Sequence, residues 1–263
     1  MGAISGIIPL IDSFAGNLMF EDYMVLGYEG LLPAFACCLI KFFYNRKQKY
    51  LFGAFIYLID MAIFTNKGAT LTAIVLFAMM YVYFSKNKKH TVIKLMLIFL
   101  GVLTIFLFRM PLLRFLSIIA KRIGFDSYSL NTIAMIVYGD GDLVFGLRTD
   151  LWNDSIKYIL QEPLTGFGAG GFYTIYGNYP HNFLIEMCLT FGCIITLLAM
   201  IVFLRGVIST VKEKNFERQI FLATILIMWF IPLSISMSFW QSNTFWIFIG
   251  ATILYSDKKL KYL

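Results

Sequence analysis

The sequence RTDLWNDSIKYILQEPLTGFGAGGFYTIYGNYPHNFLIEMCLTFG, residues 148–192, carries the densest polar chemistry in an otherwise strongly apolar chain. It opens with Arg148, and apolar residues at helical spacing then predict a helix over residues 149–161. A proline and a glycine-rich turn follow. The stretch closes with His181 and Asn182, directly before a long apolar run. We expect this stretch to form the functional surface, with the rest of the chain holding it at a membrane face.

Outside this stretch the chain consists of long apolar runs separated by short charged loops. Of its 263 residues, 59% are hydrophobic and 14% are charged, and the mean hydropathy is +0.77. A soluble domain of this length would be far more polar, so the composition indicates a polytopic α-helical membrane protein. The net charge of +7 lies in short loops, where it sets orientation in the bilayer and predicts no nucleic-acid partner.

The apolar runs predict an all-α bundle of about seven membrane spans, because each run approaches the ~20 residues needed to cross the hydrocarbon. The predicted spans are residues 24–44, 50–65, 68–84, 91–110, 182–204, 219–237 and 239–255. When the spans alternate, 15 of the 22 basic residues fall on one side. The positive-inside rule makes that side, with the C-terminus, cytoplasmic. Residues 1–263 then form a single integral membrane domain. Residues 111–181 form a large outer-face loop with short helices between the fourth and fifth spans.

The cysteines and the N-terminus give no sign of metal binding or secretion. All four cysteines fall within apolar runs, and their spacing is not that of a zinc site or a redox pair. We therefore expect no metal, no cofactor and no disulfide, since thiols in spans usually behave as small hydrophobic groups. The first residues lack the basic segment of a cleavable signal peptide.

Three polar residues on the predicted outer face each allow a functional and a structural interpretation. His181 could accept a proton from a sugar hydroxyl, or it could be a structural interface histidine. Arg148 could bind a phosphate through its planar fork, or its side chain could snorkel to lipid headgroups. Lys67, in the turn TNKG, could be a second cation for a diphosphate or an interface anchor. No single position decides between these alternatives.

The glycine-rich turn and the start of the following helix are equally open. The run Gly166–Gly171 lacks the Lys-Ser/Thr ending of a P-loop and has no preceding strand, so it does not predict nucleotide binding. Its N–H groups could approach an anion, or its glycines could simply permit a tight turn. Asn182 is a suitable N-cap. Glu186 suits the positive end of that helix, or it could orient His181 or a sugar.

The order of these residues resembles that of the O-antigen ligase and O-antigen polymerase family. The resemblance rests on the patterns Arg148-x3-Trp152, Pro163-x2-Gly166-x-Gly168, His181-Asn182, Gly192 and, upstream, Thr65-Asn66-Lys67-Gly68-Ala69. It extends from about residue 20 to the C-terminus and is strongest over residues 148–192. It implies a polytopic, metal-independent fold of the GT-C type.

The resemblance also implies an activity in the bacterial cytoplasmic membrane. The family transfers a glycan from a polyprenyl diphosphate carrier to an acceptor hydroxyl, on a glycan or a lipid, at the outer face. Carried over by motif, Arg148 and Lys67 would hold the diphosphate, and His181 would orient or deprotonate the acceptor hydroxyl. Further substrate-binding positions by motif are Asn182, Trp152 and Gly168.

Two departures from the family pattern qualify this expectation. Lys67 stands where the family usually has arginine, so the charge is kept and the bidentate fork is lost. Family members usually have more spans upstream, so the chain is expected to be an N-terminally short member, inactive if essential helices are missing. Polymerase is slightly favoured over ligase, because nothing in the sequence is dedicated to one acceptor. A chain-length regulator and a flippase are candidate partners.

Two other functions compete with this interpretation. A transporter or flippase of lipid-linked sugars would be expected to have polar or broken helices at the membrane midplane, whereas the polar groups here gather on the predicted outer face. A seven-helix receptor would fit the helix count, but the long, glycine-rich outer segment does not favour it.

Overall fold

The structure, a computed structural model, describes residues 22–84 and 141–256, together with a few isolated positions between them. Every secondary-structure element in these ranges is helical. The chain forms two compact units, which divide after Asp142. The predicted single domain therefore stays a prediction.

Residues 22–84 of the first unit form three helical segments, the first of which is a continuous run of two α-helices with a π-helical turn between them. Its elements are α1 Asp22–Val25, a π-helical turn Leu26–Leu31, α2 Leu32–Asn45, α3 Gln48–Phe64 and α4 Lys67–Tyr83. The α2 helix ends at Arg46, whose left-handed φ of 55° lets its N–H bond to Phe42 O at 2.7 Å. The α4 helix begins after Asn66, whose side chain accepts from Ala69 N at 2.7 Å.

Small residues allow the helices of the first unit to approach each other closely. A side chain at Gly27 would bring a Cβ to 2.9 Å from the Cβ of Thr65 and 3.2 Å from that of Ala69. Ala69 and Ala73 are completely buried on α4. Between apolar helices in a bilayer, association depends on van der Waals contact more than on escape from water, which favours small residues at such contacts.

The second unit packs five α-helices and a short 3₁₀ turn around aromatic side chains. Its elements are α5 Gly141–Gln161, α6 Gly171–Tyr176, α7 Phe183–Lys212, α8 Phe216–Ile235, a 3₁₀ turn Phe239–Gln241 and α9 Asn243–Ser256. Trp229 of α8 is 1% exposed, and its ring lies 5.2 Å from that of Phe245 and 5.8 Å from those of Phe183 and Phe203. These contacts join α7, α8 and α9.

Three of the predicted spans coincide with helices that are long and apolar enough to cross a membrane, and two others coincide with shorter apolar helices. Helices long and apolar enough to cross a membrane occur at Leu26–Asn45, Phe183–Lys212 and Phe216–Ile235, and shorter apolar helices at Lys67–Tyr83 and Asn243–Ile253. The α7 helix continues beyond the predicted span end at residue 204, as far as Lys212, because arginine is a good helix former and Arg205 does not interrupt it. The predicted span 239–255 is divided into the 3₁₀ turn and α9.

Several predictions concern residues that the structure does not describe. The predicted span 91–110 and most of the outer-face loop before residue 141 fall there. The helix predicted over residues 149–161 exists, but it begins earlier, at Gly141. The total of seven spans, the position of the large loop and the orientation in the membrane therefore stay predictions.

Candidate active site

Polar side chains of the second unit converge on the C-terminal end of α8. A helix leaves its last four carbonyl oxygens without intrahelical partners, and consecutive carbonyls here accept side-chain donors. Arg148 Nη1 donates to Ile235 O at 2.9 Å. His181 Nδ1 bonds to Ser236 O, one residue further, at 2.8 Å. The negative end of the helix dipole also favours the positive charge of Arg148. The two predicted catalytic residues therefore lie side by side.

Two neighbours of His181 use the same helix end. Tyr179 Oη donates to Ser236 O at 3.1 Å, and Asn182 Nδ2 lies 3.5 Å from Ser234 O. The Asn182 side chain also accepts from Leu184 N at 3.1 Å and Ile185 N at 3.3 Å. The predicted N-cap is thus confirmed, and the same side chain ties the start of α7 to the end of α8.

The bond to Ser236 selects one tautomer of His181. A carbonyl oxygen only accepts hydrogen bonds, so Nδ1 carries the proton and Nε2 keeps its lone pair. The imidazole ring lies 4.2 Å from the Tyr179 ring, centroid to centroid. His181 also has a left-handed φ of 54°, a conformation that costs a non-glycine residue free energy and often occurs at functional sites. The ring is therefore held with its basic nitrogen pointing away from α8.

The surroundings of His181 keep it neutral. Burial lowers the pKa of the imidazole, and the charge of Arg148 lowers it further, while the bond to Ser236 acts in the opposite direction. Burial, followed by the Glu186 carboxylate, raises the pKa of Tyr179, so its hydroxyl stays protonated and donates. A neutral imidazole beside a permanent cation can accept a proton near neutral pH.

Trp152 positions the segment that carries His181. Its indole Nε1 donates to the carbonyl of Pro180, the preceding residue, at 2.7 Å. Trp152 lies one turn after Arg148 on α5. The spacing Arg148-x3-Trp152 therefore places both side chains on the same face of the helix. Trp152 thus has a structural partner, and its predicted contact with substrate is untested.

The loop after α5 enters a break in α7. At Gly192 the backbone has φ 78° and ψ 167°, values far from those of a helix. The groups released there bond to the loop: Cys193 N donates to Pro163 O at 2.7 Å, and Phe167 N donates to Leu189 O at 2.7 Å. A Cβ at Gly192 would lie 2.0 Å from Leu164 O. The glycine is therefore required both by its φ and by the close approach of the loop.

Backbone N–H groups of the glycine-rich turn are also used in backbone hydrogen bonds. Gly168 N donates to Thr190 O at 3.0 Å, and Gly166 N donates to Glu162 O at 3.0 Å. A Cβ at Gly166 would lie 2.7 Å from Leu189 O and from Gly192 N. The Gly168 N–H therefore fixes the loop on α7, and the Gly166 N–H closes a turn directly after α5. Both contacts favour the tight-turn interpretation over the anion cradle. The predicted substrate contact of Gly168 is untested.

Glu186 supports the segment that follows Ser236. This carboxylate is 7% exposed, and it accepts from Ser238 Oγ and, at 3.2 Å, from Phe239 N. It therefore joins the first turn of α7 to the 3₁₀ turn. Glu186 therefore acts on His181 only indirectly. It holds Ser238, which lies two residues after Ser236, and the Ser236 carbonyl is the partner of His181.

Four of the six residues predicted for the site belong to this one network. They are Arg148, Trp152, His181 and Asn182. Gly168 is bonded to α7, and Lys67 is an exposed residue at the start of α4 in the first unit. Sequence reasoning missed the part of Tyr179, for which the only signal is its position two residues before His181.

Replacement of Trp152 by phenylalanine tests the positioning of His181. Phenylalanine keeps an aromatic ring and removes the donor to Pro180, so we expect a loss of about 1 kcal/mol in stability and a clear loss of activity. Thermal unfolding measures the first effect, and an assay of the activity that the resemblance implies measures the second. Trp246→Phe, at a side chain that is 47% exposed, is the matched control. Equal activity of both variants would show that the Trp152–Pro180 bond does not matter.

Within the described residues, no group of three or more His, Cys, Asp or Glu side chains could hold a metal ion. A family model described as O-antigen ligase matches residues 52–201, more than half of the chain. No curated protein and no solved structure shows significant similarity to the chain. The matched segment contains Arg148, His181 and Gly192, and with them the loop that is fixed on the broken helix. The predicted resemblance is therefore confirmed, and the chain belongs to the O-antigen ligase family.

Proposed function

We propose that the chain is a membrane glycosyltransferase that moves an oligosaccharide from a polyprenyl diphosphate carrier to an acceptor hydroxyl. Membership of the family supports an enzyme of surface polysaccharide assembly. The observation that carries the finer proposal is the pairing of Arg148 and His181 on consecutive carbonyls at the end of α8. It puts a permanent cation beside a neutral base whose free nitrogen is Nε2.

The proposed reaction is a displacement at the anomeric carbon of the carrier-linked sugar. The acceptor oxygen forms a bond to that carbon, and the bond from the carbon to the phosphate oxygen breaks. The lipid diphosphate leaves with the electron pair, and the acceptor proton moves to His181 Nε2. Alignment of the acceptor and stabilisation of the developing negative charge are the main contributions required of the protein.

In this scheme Arg148 stabilises the leaving diphosphate. A guanidinium has five N–H donors, and the contact with Ile235 is made by Nη1. Arg148 is exposed, so its planar fork is accessible to a diphosphate oxygen pair. The helix end fixes the guanidinium before the substrate arrives, which reduces the reorganisation needed during the reaction.

The remaining assignments rest on motif resemblance. Lys67 is assigned to the diphosphate because it stands in the TNKG turn, and it is an exposed residue that begins α4. Asn182, Trp152 and Gly168 are assigned to substrate binding, although Asn182 and Trp152 also have structural hydrogen bonds. The proposal includes the bacterial cytoplasmic membrane as location, an outward-facing site and a slight preference for polymerase over ligase.

One observation favours the alternative of a transporter of lipid-linked sugars. Broken membrane helices are common at transporter binding sites, and α7 is broken at Gly192. At this break, however, the released N–H and carbonyl groups are bonded to the loop of residues 163–168. A substrate site would need such groups to face a cavity, so the enzyme is the better supported function.

Substitution of Arg148 by glutamine tests the proposal through its pH dependence. The activity of the wild type should fall as the pH drops through the pKa of His181, because imidazolium cannot accept a proton. The Arg148 charge disfavours imidazolium, so its loss raises that pKa and moves the acid limb to higher pH. We also expect kcat to fall by about 10²- to 10³-fold, as for loss of one group that stabilises leaving-group charge.

The measurement is kcat/KM against pH for the purified full chain with a synthetic polyprenyl diphosphate oligosaccharide. Arg205→Gln, at an exposed arginine of α7 outside the network, is the matched control and should behave as the wild type. An acid limb that stays in place, or that moves to lower pH in Arg148→Gln, would contradict the pairing of Arg148 with His181. Undiminished activity would exclude Arg148 from the reaction.

A further inference from the structure

An apolar groove of about 580 Å³ runs along α3 in the first unit. Leu51, Phe55 and Leu58 line it from one face of α3, and Phe35 and Phe77 line it from α2 and α4. Phe55 is 58% exposed, so the groove opens on the outside of the unit. Its wall is almost entirely hydrocarbon, and its volume lies in the range of sites that bury small ligands.

Basic residues surround the end of the groove where α3 begins. Gln48 lines the groove at this end, between Lys47 and Lys49. The ammonium groups of Lys41 and Lys49 lie 5.9 and 5.2 Å from the centre of the same ring, that of Tyr50. Among the side chains that the structure describes, the salt bridge present is that of Lys157 with Asp154, and none of these three lysines has a carboxylate within that distance. Like charges gathered without a counter-ion repel one another and favour an anion between them.

The dimensions of the groove match one leaflet of a bilayer. From Gln48 to Leu58 the helix rises by roughly 15 Å at 1.5 Å per residue. This is about half of the ~30 Å hydrocarbon thickness. A ligand with its charge at the lysines and its hydrocarbon in the groove therefore has the length of a phospholipid in one leaflet.

We propose that this groove binds one anionic phospholipid, with an acyl chain along α3 and the phosphate at Lys41, Lys47 and Lys49. In the orientation predicted from the basic loops, this end of α3 is cytoplasmic. The lipid is then one of the cytoplasmic leaflet, where anionic lipids attract juxtamembrane lysines. This inference does not rest on the proposed function.

The test is native mass spectrometry of the full chain in detergent, titrated with phosphatidylglycerol or with phosphatidylcholine of the same acyl chains. We expect one phosphatidylglycerol to bind in preference to phosphatidylcholine. The double variant Lys41→Gln/Lys49→Gln should weaken that binding by about 10- to 30-fold, the effect expected from two lysines near an anionic headgroup. Lys212→Gln/Lys214→Gln removes the same charge from another basic loop and should leave binding unchanged.

A second variant, Leu58→Trp, fills the groove and keeps the lysines, so it should also weaken phosphatidylglycerol binding. If Leu58→Trp fails to fold, the double variant Lys41→Gln/Lys49→Gln still tests the proposal, because both lysines are exposed. Equal binding of the two lipids, or equal effects of the two lysine pairs, would overturn the proposal. Displacement of phosphatidylglycerol by a polyprenyl diphosphate would identify the carrier as the occupant. If the wild type forms dimers without bound lipid, and these dimers dissociate in Leu58→Trp, the occupant of the groove is a second copy of the chain.

Discussion

Replacement of His181 by asparagine is expected to lower glycosyl transfer by about 10²- to 10⁴-fold, the usual contribution of a general base. Asparagine can donate from Nδ2 to the Ser236 carbonyl, as His181 does from Nδ1 at 2.8 Å. It also tolerates the left-handed backbone of this position, where φ is 54°. The substitution therefore removes the basic Nε2 and keeps the local fold.

This design separates chemistry from folding. Alanine at position 181 would lose the bond to Ser236 and would also be strained at positive φ, so its inactivity would have two explanations. Asparagine should reach the membrane at the wild-type level and retain the wild-type unfolding temperature. The loss of activity can then be attributed to the missing proton acceptor.

Complementation of a strain that lacks the gene provides the measurement. The wild type should restore long surface polysaccharide, whereas His181→Asn should leave single repeats at equal membrane levels. His90→Asn, at the other of the two histidines in the sequence, is the matched control and should restore long chains. Long chains in the His181→Asn strain would exclude His181 as the base, and the transporter alternative would gain support.

The second large effect is expected from Gly192→Ala, which should prevent the loop of residues 163–168 from packing on α7. The new Cβ would lie 2.0 Å from Leu164 O and 2.9 Å from Thr165 N, so the loop backbone has to move. Movement breaks the hydrogen bonds to Leu189 O, to Thr190 O and from Cys193 N, each worth about 1 kcal/mol. With the strain of a glycine-only conformation, about 1–3 kcal/mol, we expect a loss of roughly 4 kcal/mol or more.

Gly168→Ala is the matched control, because Gly168 also has a positive φ but lacks the crowding found at Gly192. Gly168 has nearly the same φ, 77°, but nothing lies within 4 Å of the point that its Cβ would occupy. Its substitution should cost only the left-handed backbone term of about 1–2 kcal/mol. Thermal unfolding in detergent, followed by size-exclusion chromatography, compares the two variants. Similar unfolding temperatures would mean that the close approach of the loop at Gly192 contributes little.

The sequence predicted the described helices well where hydropathy and helical periodicity are sufficient to locate a helix. Hydropathy and period located α2, α3, α4, α7 and α8, because each helix satisfies its own backbone hydrogen bonds and only needs an apolar surface. The N-cap at Asn182 was also predictable, since a side-chain oxygen reaches N–H groups two and three residues ahead. Boundaries were less certain, as Arg205 inside α7 illustrates.

The sequence by itself thus determined an all-helical, apolar chain of the O-antigen ligase family, and it singled out Arg148 and His181. Only the tertiary structure decided that both residues bond to carbonyls of Ile235 and Ser236, and that the histidine keeps Nε2 free. It also decided that Gly192 breaks α7 to receive the loop. The physical reason is that every residue carries the same backbone carbonyl group. Which carbonyls are left without partners depends on where helices end and what packs against them, and no side-chain pattern marks those positions.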